Sequence, residues 1–505
     1  MSSSDEPDGI EILRQCGVLD PTLPTTRIVT HGAVICLNGD RAWKFKRAVR
    51  LRFFDFSTPQ RRRTALDAEL RLNRRFAPNI YRAVHAIHRT PSGSVSFDGP
   101  GDVVDHVLEM SRFADDALLV GRAVPGNLPD SLLGELAATI VDLHQTSEIS
   151  ADPHGAARLQ EVIDGNLKSM LAFPQIVDPA AAQELTSRLT DMVTTHADLL
   201  DARARDGRVR RGHGDLHLGN IAVVDGAPIP FDCLEFDEEM ATTDVLYDVG
   251  FLVMDLWSRG LRHEANVVSN IYLDLSPDDE NGFVLMPVIL AVRATVRAHV
   301  NAAAGDAVQA QRYLDLAREF TRPTSHRLLA IGGGSGTGKS TLARAVGGDL
   351  DPAPGARILR SDVLRKRLAG VRMTEKLPPT AYTPQARAAV YDEMERLARI
   401  DLAGGMSVIV DAVFGLAEQQ RSAADLAVAA GVGFTGIWLE LPEQERISRI
   451  DHRGPDASDA DATVARRQTQ TLAPPDENWV RLNAHRETEY LREMCVGAPG
   501  RPSRK

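Results

Sequence analysis

Residues 211–221 read Arg211-Gly-His-Gly-Asp-Leu-His-Leu-Gly-Asn-Ile221, followed by an apolar run to Val224, an Asp225-Gly226 turn and Pro228-Ile-Pro-Phe-Asp232. Asp-Gly between two short apolar runs signals a β-hairpin. The stretch therefore reduces to His213-x-Asp215-x4-Asn220 and a hairpin that returns Asp232 alongside Asn220. Phosphoryl transfer from ATP to a hydroxyl or amine needs such parts: one carboxylate to take the acceptor's proton, and an Asn and a second carboxylate to hold Mg²⁺ against the phosphates. Asp215 is the candidate catalytic base, and Asn220 and Asp232 are the candidate metal ligands. The competing explanation is a surface turn rich in His, Gly and Asp. The hairpin and its placed carboxylate favour the phosphotransfer loop.

Upstream, 27–37 reads as a strand, Asn38-Gly39-Asp40 as a hairpin turn, and 42–49 as a returning strand that carries Lys44 and Lys46. This is how a kinase small lobe presents a lysine to nucleotide phosphates. The two lysines share a strand face; Lys44 is the preferred phosphate ligand, with Lys46 left open. A helix over 59–76 carries Glu69, which can orient the strand lysine or be an ordinary surface glutamate. No G-x-G-x-x-G loop precedes them, so the phosphate cover is unassigned. Strands are expected over 94–97 and 103–110, with Glu109-Met110 at the position of an adenine-facing hinge. Helices are expected over 132–145, 156–206 (broken near Pro174–Pro179), 241–257 with Asp244 and Asp248 one turn apart, 287–304 and 307–320. Arg322-Pro-Thr-Ser325 breaks the pattern. The expected domains are residues 1–322 and 323–505.

The second half opens with a buried-type strand, Leu328–Ile331. It runs into Gly333-Gly334-Ser335-Gly336-Thr337-Gly338-Lys339-Ser340 and a helix over 341–346 that Thr341 begins. G-x4-G-K-S between a strand and a helix is a P-loop: backbone amides and the helix N-terminus cradle phosphates, Lys339 reaches them, and Ser340 ligates Mg²⁺. An unliganded Gly-rich turn is the weaker alternative. A second strand, 356–359, ends at Ser361-Asp362, with Arg365 three residues on. Asp362 is a candidate base and Arg365 a candidate holder of an anionic acceptor or a phosphate; a helix N-cap is the plainer explanation. A helix over 386–403 precedes Val408-Ile-Val-Asp411, a strand ending in a metal-supporting carboxylate. Strand 432–441 leads to helix 443–453, whose Arg446, Arg449 and Arg453 suit a charge-screening lid, with Arg449 and Arg453 taken as nucleotide-binding. The stretch 498–505 reads as a frayed tail.

Bulk properties narrow the function. The 505 residues suggest two to four domains. Hydrophobic content of 43% and charged content of 25% are ordinary for globular protein. A net charge of −11 argues against a dedicated nucleic-acid binder. Four scattered cysteines give neither a zinc spacing nor a disulfide framework. The first nine residues are polar and acidic, unlike a signal peptide, and no apolar run of membrane-spanning length is expected. A cytoplasmic setting without membrane partners follows. No internal repeat is present.

Residues 40–320 resemble the aminoglycoside phosphotransferase-like, or protein-kinase-like, superfamily, on Lys44-x-Lys46-Arg47, Glu69-Leu-Arg-Leu-Asn73, His213 to Asn220 and Asp232. Residues 327–495 resemble P-loop kinases related to gluconate, chloramphenicol and polynucleotide kinases and to zeta toxins. That match rests on Gly333–Ser340, Asp362 with Arg365, 408–411, and 453–459. The order of halves is similar to bacterial proteins that fuse the two. The resemblance implies an α+β bilobal kinase-like domain followed by an α/β P-loop domain with a parallel sheet. It implies ATP and Mg²⁺ as cofactors and a small-molecule phosphate acceptor. It does not name the acceptor, since acceptor pockets vary most in both superfamilies. Three functions are consistent with it: a two-site phosphotransferase, a regulatory ATP-binding protein with one non-catalytic domain, and a toxin-like sugar-nucleotide kinase restrained by its first domain.

Overall fold

The computed structural model describes residues 9–50, 54–454, 456–472, 475, 477–486 and 488–497. The chain forms two compact units. The first runs to Pro153 and resumes over Ala204–Leu252; the second comprises His154–Arg203 and the chain from Val253 onward. The units therefore divide the chain elsewhere than at 322/323, and helices expected with the first half pack with the P-loop.

The first unit is built on a six-stranded antiparallel sheet. Its strands are β1 (Thr25–Val29), β2 (Ala33–Asn38), β3 (Arg41–Lys46), β4 (Tyr81–Arg89), β5 (Val95–Phe97) and β6 (Asp102–Ser111), in the order β1-β2-β3-β6-β4-β5. The strand expected over 27–37 is in fact two, β1 and β2, turned at Thr30-His31-Gly32. β4 was not anticipated. Alternation along β3 sends Trp43 and Phe45 into one core, and Ala42, Lys44 and Lys46 toward the other face. Helix Pro59–Asn73 covers that face with Leu66; Pro59 opens it and the Thr58 hydroxyl caps it. β3 pairs with β2 on one side (Lys44 opposite Ile35) and β6 on the other (Lys44 opposite Leu108). Glu109 and Met110 are inside the β6 ladder, between β3 and β4, and the chain leaves the sheet only after Ser111. They are therefore not an open hinge.

The rest of the first unit holds helix Asp130–Thr146, strand β7 (Val209–Arg211), the hairpin β8 (Ile221–Val224) and β9 (Ala227–Pro230), and strand β10 (Thr242–Asp244), which pairs with β7. Asp244 ends β10 and accepts from the Leu246 amide, so it does not share a helix face with Asp248.

The second unit contains a five-stranded parallel sheet: β11 (Arg327–Gly333), β12 (Arg357–Arg360), β13 (Val408–Asp411), β14 (Gly433–Glu440) and β15 (Trp479–Asn483), in the order β12-β13-β11-β14-β15. Along β11, Leu328 and Ala330 enter one core while Leu329 and Ile331 enter the core on the other face. Both faces are covered, as parallel sheets require. Helices Arg262–Leu275, Met286–Ala303 and Ala307–Phe320 belong to the same unit. The Asn266 amide donates to the Pro354 and Ala356 carbonyls at 3.0 and 2.9 Å. Asn270 accepts from the Ile358 amide at 2.7 Å. Arg357, fully buried, pairs with Glu280 at 2.6 Å and Asp274 at 2.7 Å.

One helical stretch, Pro277–Ala303, is long and apolar enough to cross a membrane, with mean hydropathy 1.6 over its apolar window. This corrects the expectation that no such run exists. Of that window, 72% is buried inside the protein, which is the position of a core helix. The tail read as frayed, 498–505, lies outside the described residues.

Candidate functional site

Each unit gathers its own set of site residues. In the first, the Lys44 amine lies 2.7 Å from Glu69 and 2.5 Å from Asp232. Lys46 lies 2.7 Å from the other Glu69 oxygen and 2.5 Å from Glu235. Glu69 is completely buried and so needs cations around it. Burial disfavours the charge on Lys44, but Asp232 and Glu69 outweigh it and hold its pKa well above the usual lysine value. Burial likewise works against the Asp232 carboxylate, yet Lys44 and Lys46 hold its pKa down to about 2. Asp232 therefore stays ionised. Only Lys44 of the pair touches it, which separates the two lysines by contact.

The loop that carries Asp215 is held by Asp248. Buried Asp248 accepts from the His213 amide at 2.7 Å and the Gly214 amide at 2.9 Å. A Cβ at Gly212 would stand 2.5 Å from an Asp248 oxygen, so the loop can approach this carboxylate only with glycine there. Burial lowers the His213 pKa. Its neutral ring accepts from the Asp215 amide at Nδ1 and faces the Phe231 carbonyl through Nε2 at 2.9 Å. Asn220 donates to the Asp215 carboxylate at 3.0 Å and to the Asp215 carbonyl at 3.0 Å, leaving its own amide oxygen for a cation. The Tyr81 hydroxyl accepts from the Asp232 amide at 3.0 Å, and the Asn73 side chain from Cys233 at 3.0 Å. These bonds hold Asp232 in the left-handed conformation, φ 61°. Asp215, Asn220, Asp232, Lys44 and Glu69 thus belong to one constellation. Glu235 was missed by sequence reading. Its signal is the second strand lysine, which requires a buried carboxylate of its own.

In the second unit the P-loop joins β11 to helix Lys339–Gly347. Gly333, Gly336 and Gly338 all have positive φ. A Cβ at Gly333 would lie 2.6 Å from the Leu439 carbonyl oxygen, and one at Gly336 2.5 Å from that of Arg446. Glycine there lets the amides turn inward. Gly334 accepts from the Lys339 amine at 3.0 Å and from the Thr337 hydroxyl at 2.9 Å. Burial lowers the Lys339 pKa, with Asp411 and Asp362 opposing. The Ser340 hydroxyl donates to Asp411 at 2.5 Å. Gln468, on a helix the sequence reading did not find, accepts from the Ser335 amide at 2.7 Å.

Thr341, Asp362, Arg449 and Arg453 line the same 1410 Å³ cavity as the P-loop. Burial raises the Asp362 pKa and Asp411 adds to this, against a hydrogen bond from Ser458. Arg449 donates to the Ala484 carbonyl at 3.0 Å, and its other amine would stand 3.5 Å from a Cβ at Gly338. Arg453 is exposed and donates to carbonyls of its own loop, Ser458 at 2.8 Å and Ala460 at 3.3 Å. Arg446, which the sequence grouped with them, is buried beneath the P-loop. Arg360 was missed: it holds Asp456 with two 2.9 Å bonds and sits 3.7 Å from Asp411.

Both donor sets suit Mg²⁺, which prefers hard oxygen ligands. Asn220 and Asp232 supply them in one unit, Ser340 and Asp411 in the other.

A family model described as a phosphotransferase enzyme family matches residues 41–274, and one described as an AAA domain matches 328–475. The uncharacterized protein Rv2004c of Mycobacterium tuberculosis (strain H37Rv) is 30% identical over 486 residues, covering 93% of each chain. Its counterpart in Mycobacterium bovis matches equally. The chain belongs to their family.

This family is a bacterial fusion of an aminoglycoside phosphotransferase-like, protein-kinase-like domain with a P-loop kinase domain. Among solved structures, the fusion protein is similar to a choline/ethanolamine kinase family protein from Mesorhizobium loti (12% identity, 62% of this chain and 93% of that chain, TM-score 0.40). It is also similar to a gluconokinase from Sinorhizobium meliloti 1021 (19% identity, 35% and 90%, TM-score 0.26). Both matched domains are of kinase type, and the fold is a kinase-like α+β domain followed by a P-loop domain with a parallel sheet.

Proposed function

We propose that the fusion protein is an ATP- and Mg²⁺-dependent phosphotransferase with two nucleotide sites, each passing a γ-phosphate to a hydroxyl or amine of a small molecule. The reading rests on one observation: each unit independently brings a lysine, oxygen donors for a metal, and a separate carboxylate into one place. Mg²⁺, when bound, would neutralise the charge that develops on the phosphates. In the first site Lys44, braced by Glu69, holds the phosphates. Asp215 takes the acceptor proton, and Asn220 and Asp232 hold the metal. In the second, the 333–340 loop and Lys339 hold the triphosphate, aided by Thr341 and Arg449. Ser340 and Asp411 hold the metal, Asp362 takes the proton, and Arg453 lies on the lid side. Arg365 gives the second acceptor an anion-binding partner.

The functional division proposed is 1–322 for the first kinase and 323–505 for the second, in a cytoplasmic protein that does not act on nucleic acid or membranes. An ordered Lys44–Glu69–Asp232 set speaks against a first domain that only senses ATP. The burial of Arg357 against Glu280 speaks against a free-standing 323–505 toxin that the first domain restrains.

The experiment is ADP release by the full chain with Mg-ATP and a panel of sugars, amines and nucleosides. Asp215→Asn should abolish one acceptor-dependent activity and Asp362→Asn another. ADP release that no acceptor stimulates would overturn the proposal.

A further inference from the structure

The acceptor end of the P-loop cavity has a polarity and an annex that together describe its ligand. The cavity, at 1410 Å³, exceeds the roughly 300–1,000 Å³ of an ordinary small-molecule site, so it has room for acceptor as well as nucleotide. Its acceptor end is basic. Asp456 is paired by Arg360. Asp459 is paired by Lys366 at 2.7 Å and by the Tyr382 hydroxyl at 2.6 Å. Arg365 is buried, gives one amine to the Ala381 carbonyl at 2.9 Å and stacks over Tyr382 at 5.0 Å. Its buried Nε has no hydrogen-bond partner among the described residues. Lys376 and Arg387 line the same wall, and among the described residues neither has a carboxylate partner. Asp362, the proposed base, takes a hydrogen bond from Ser458 and lies within the fields of Lys339 and Arg360.

A second cavity of 260 Å³ lies between helices Pro384–Ala403 and Ala417–Ala430. Its walls include Ala388, Tyr391, Met394, Phe414, Leu416 and Leu426. It adjoins the acceptor end: Arg387, Tyr391, Leu416 and Gln419 line both cavities. Hydrogen bonds brace the junction. Phe414 is held at φ 52°, its amide donating to the Tyr391 hydroxyl at 3.0 Å and its carbonyl accepting from Gln420 at 2.7 Å. Beyond the junction the groove carries carboxylates, Asp392, Glu395 and Glu418. An anion is therefore directed to the Arg365 and Arg387 side.

We infer that the acceptor of the P-loop site is an amphipathic anion: a hydroxyl at Asp362, an anionic group on Arg365, and an apolar or aromatic arm in the groove between these two helices. This rests on the proposed kinase reading of the second unit, and it excludes polycationic acceptors from that site. One molecule of this shape would satisfy the unpartnered guanidinium nitrogen and cover the apolar walls together.

The test needs no turnover, so its failure is distinct from failure of the kinase reading. The full-length protein is titrated with 8-anilinonaphthalene-1-sulfonate and with N-phenyl-1-naphthylamine, which has the same rings without the sulfonate. The sulfonate should bind about ten-fold more tightly or better. Arg365→Gln should erase that preference and retain the neutral probe, which also reports that the variant is folded. Ala388→Phe, on an exposed helix position, should weaken both probes about ten-fold. Equal binding of the two probes by the unaltered protein, or no effect of Ala388→Phe on either, would overturn the inference.

Discussion

Glu280 closes a two-bond pair on the fully buried guanidinium of Arg357, at 2.6 and 3.0 Å, and takes Arg367 at 2.6 Å as well. Arg357 begins β12 and Arg367 lies on the helix that carries Asp362, so a residue expected to belong to the first domain holds the helix of the proposed second base. Leaving one partner of a buried pair without any counter-charge costs about 3–5 kcal/mol; Asp274 still pairs with Arg357 at 2.7 Å when Glu280 is removed, so the loss here falls below that range. Glu280→Ala should therefore lower the denaturation midpoint clearly, and residues 323–505 expressed alone should fail to give a cooperatively unfolding protein. A fragment that unfolds at the full-length midpoint would contradict this.

Lys44 and Lys46 divide their labour. Lys44 touches Asp232, the proposed metal ligand, whereas Lys46 is enclosed by Glu69, Glu235 and the Phe56 ring. Lys44→Met should reduce first-site turnover by about 10²–10³, the usual effect of losing a charge-stabilising donor, and leave Glu69 paired with Lys46. Lys46→Met should act mainly on stability, by stranding Glu235. Single-turnover rates and chemical denaturation of both variants, in a Lys339→Ala background, separate the two effects.

The two bases should part in pH. Burial raises the Asp362 pKa, and the nearby Asp411 charge raises it further. Asp215 moves the other way: burial opposes ionisation, but the hydrogen bond and charge of His217 more than offset it. A protonated carboxyl cannot accept a proton. On acidification the P-loop activity should fail first, at a pH above the ordinary carboxylate value, and the first activity should persist below it. Profiles of kcat/KM for Asp215→Asn and Lys339→Ala proteins test this; coincident or reversed acid limbs would refute it.

The chemistry-bearing loops were legible because their residue types are dictated locally. Asp225-Gly226 makes the β8–β9 turn, and Gly333, Gly336 and Gly338 adopt conformations that other residues rarely take. Arg262–Leu275 was not legible, for a physical reason. Its Asn266, Ser269 and Asn270 are buried, because two of them satisfy the backbone around β12, so polar residues occupy the inner face and the hydropathy period is scrambled. β4 was hidden similarly: Tyr81-Arg-Ala-Val-His-Ala-Ile-His-Arg89 mixes His and Arg into a strand held by β6. The pairing of Lys46 with Glu235, 189 residues apart, is a tertiary fact that no local pattern carries.

The central claim is that this chain has two separate sites for a magnesium-bound nucleotide triphosphate. Isothermal titration of the full-length protein with a non-hydrolysable ATP analogue and Mg²⁺ measures it directly. Two equivalents per chain should bind, falling to one in Lys339→Ala and to one in Lys44→Met. A single equivalent in the unaltered protein, or none, would contradict the account.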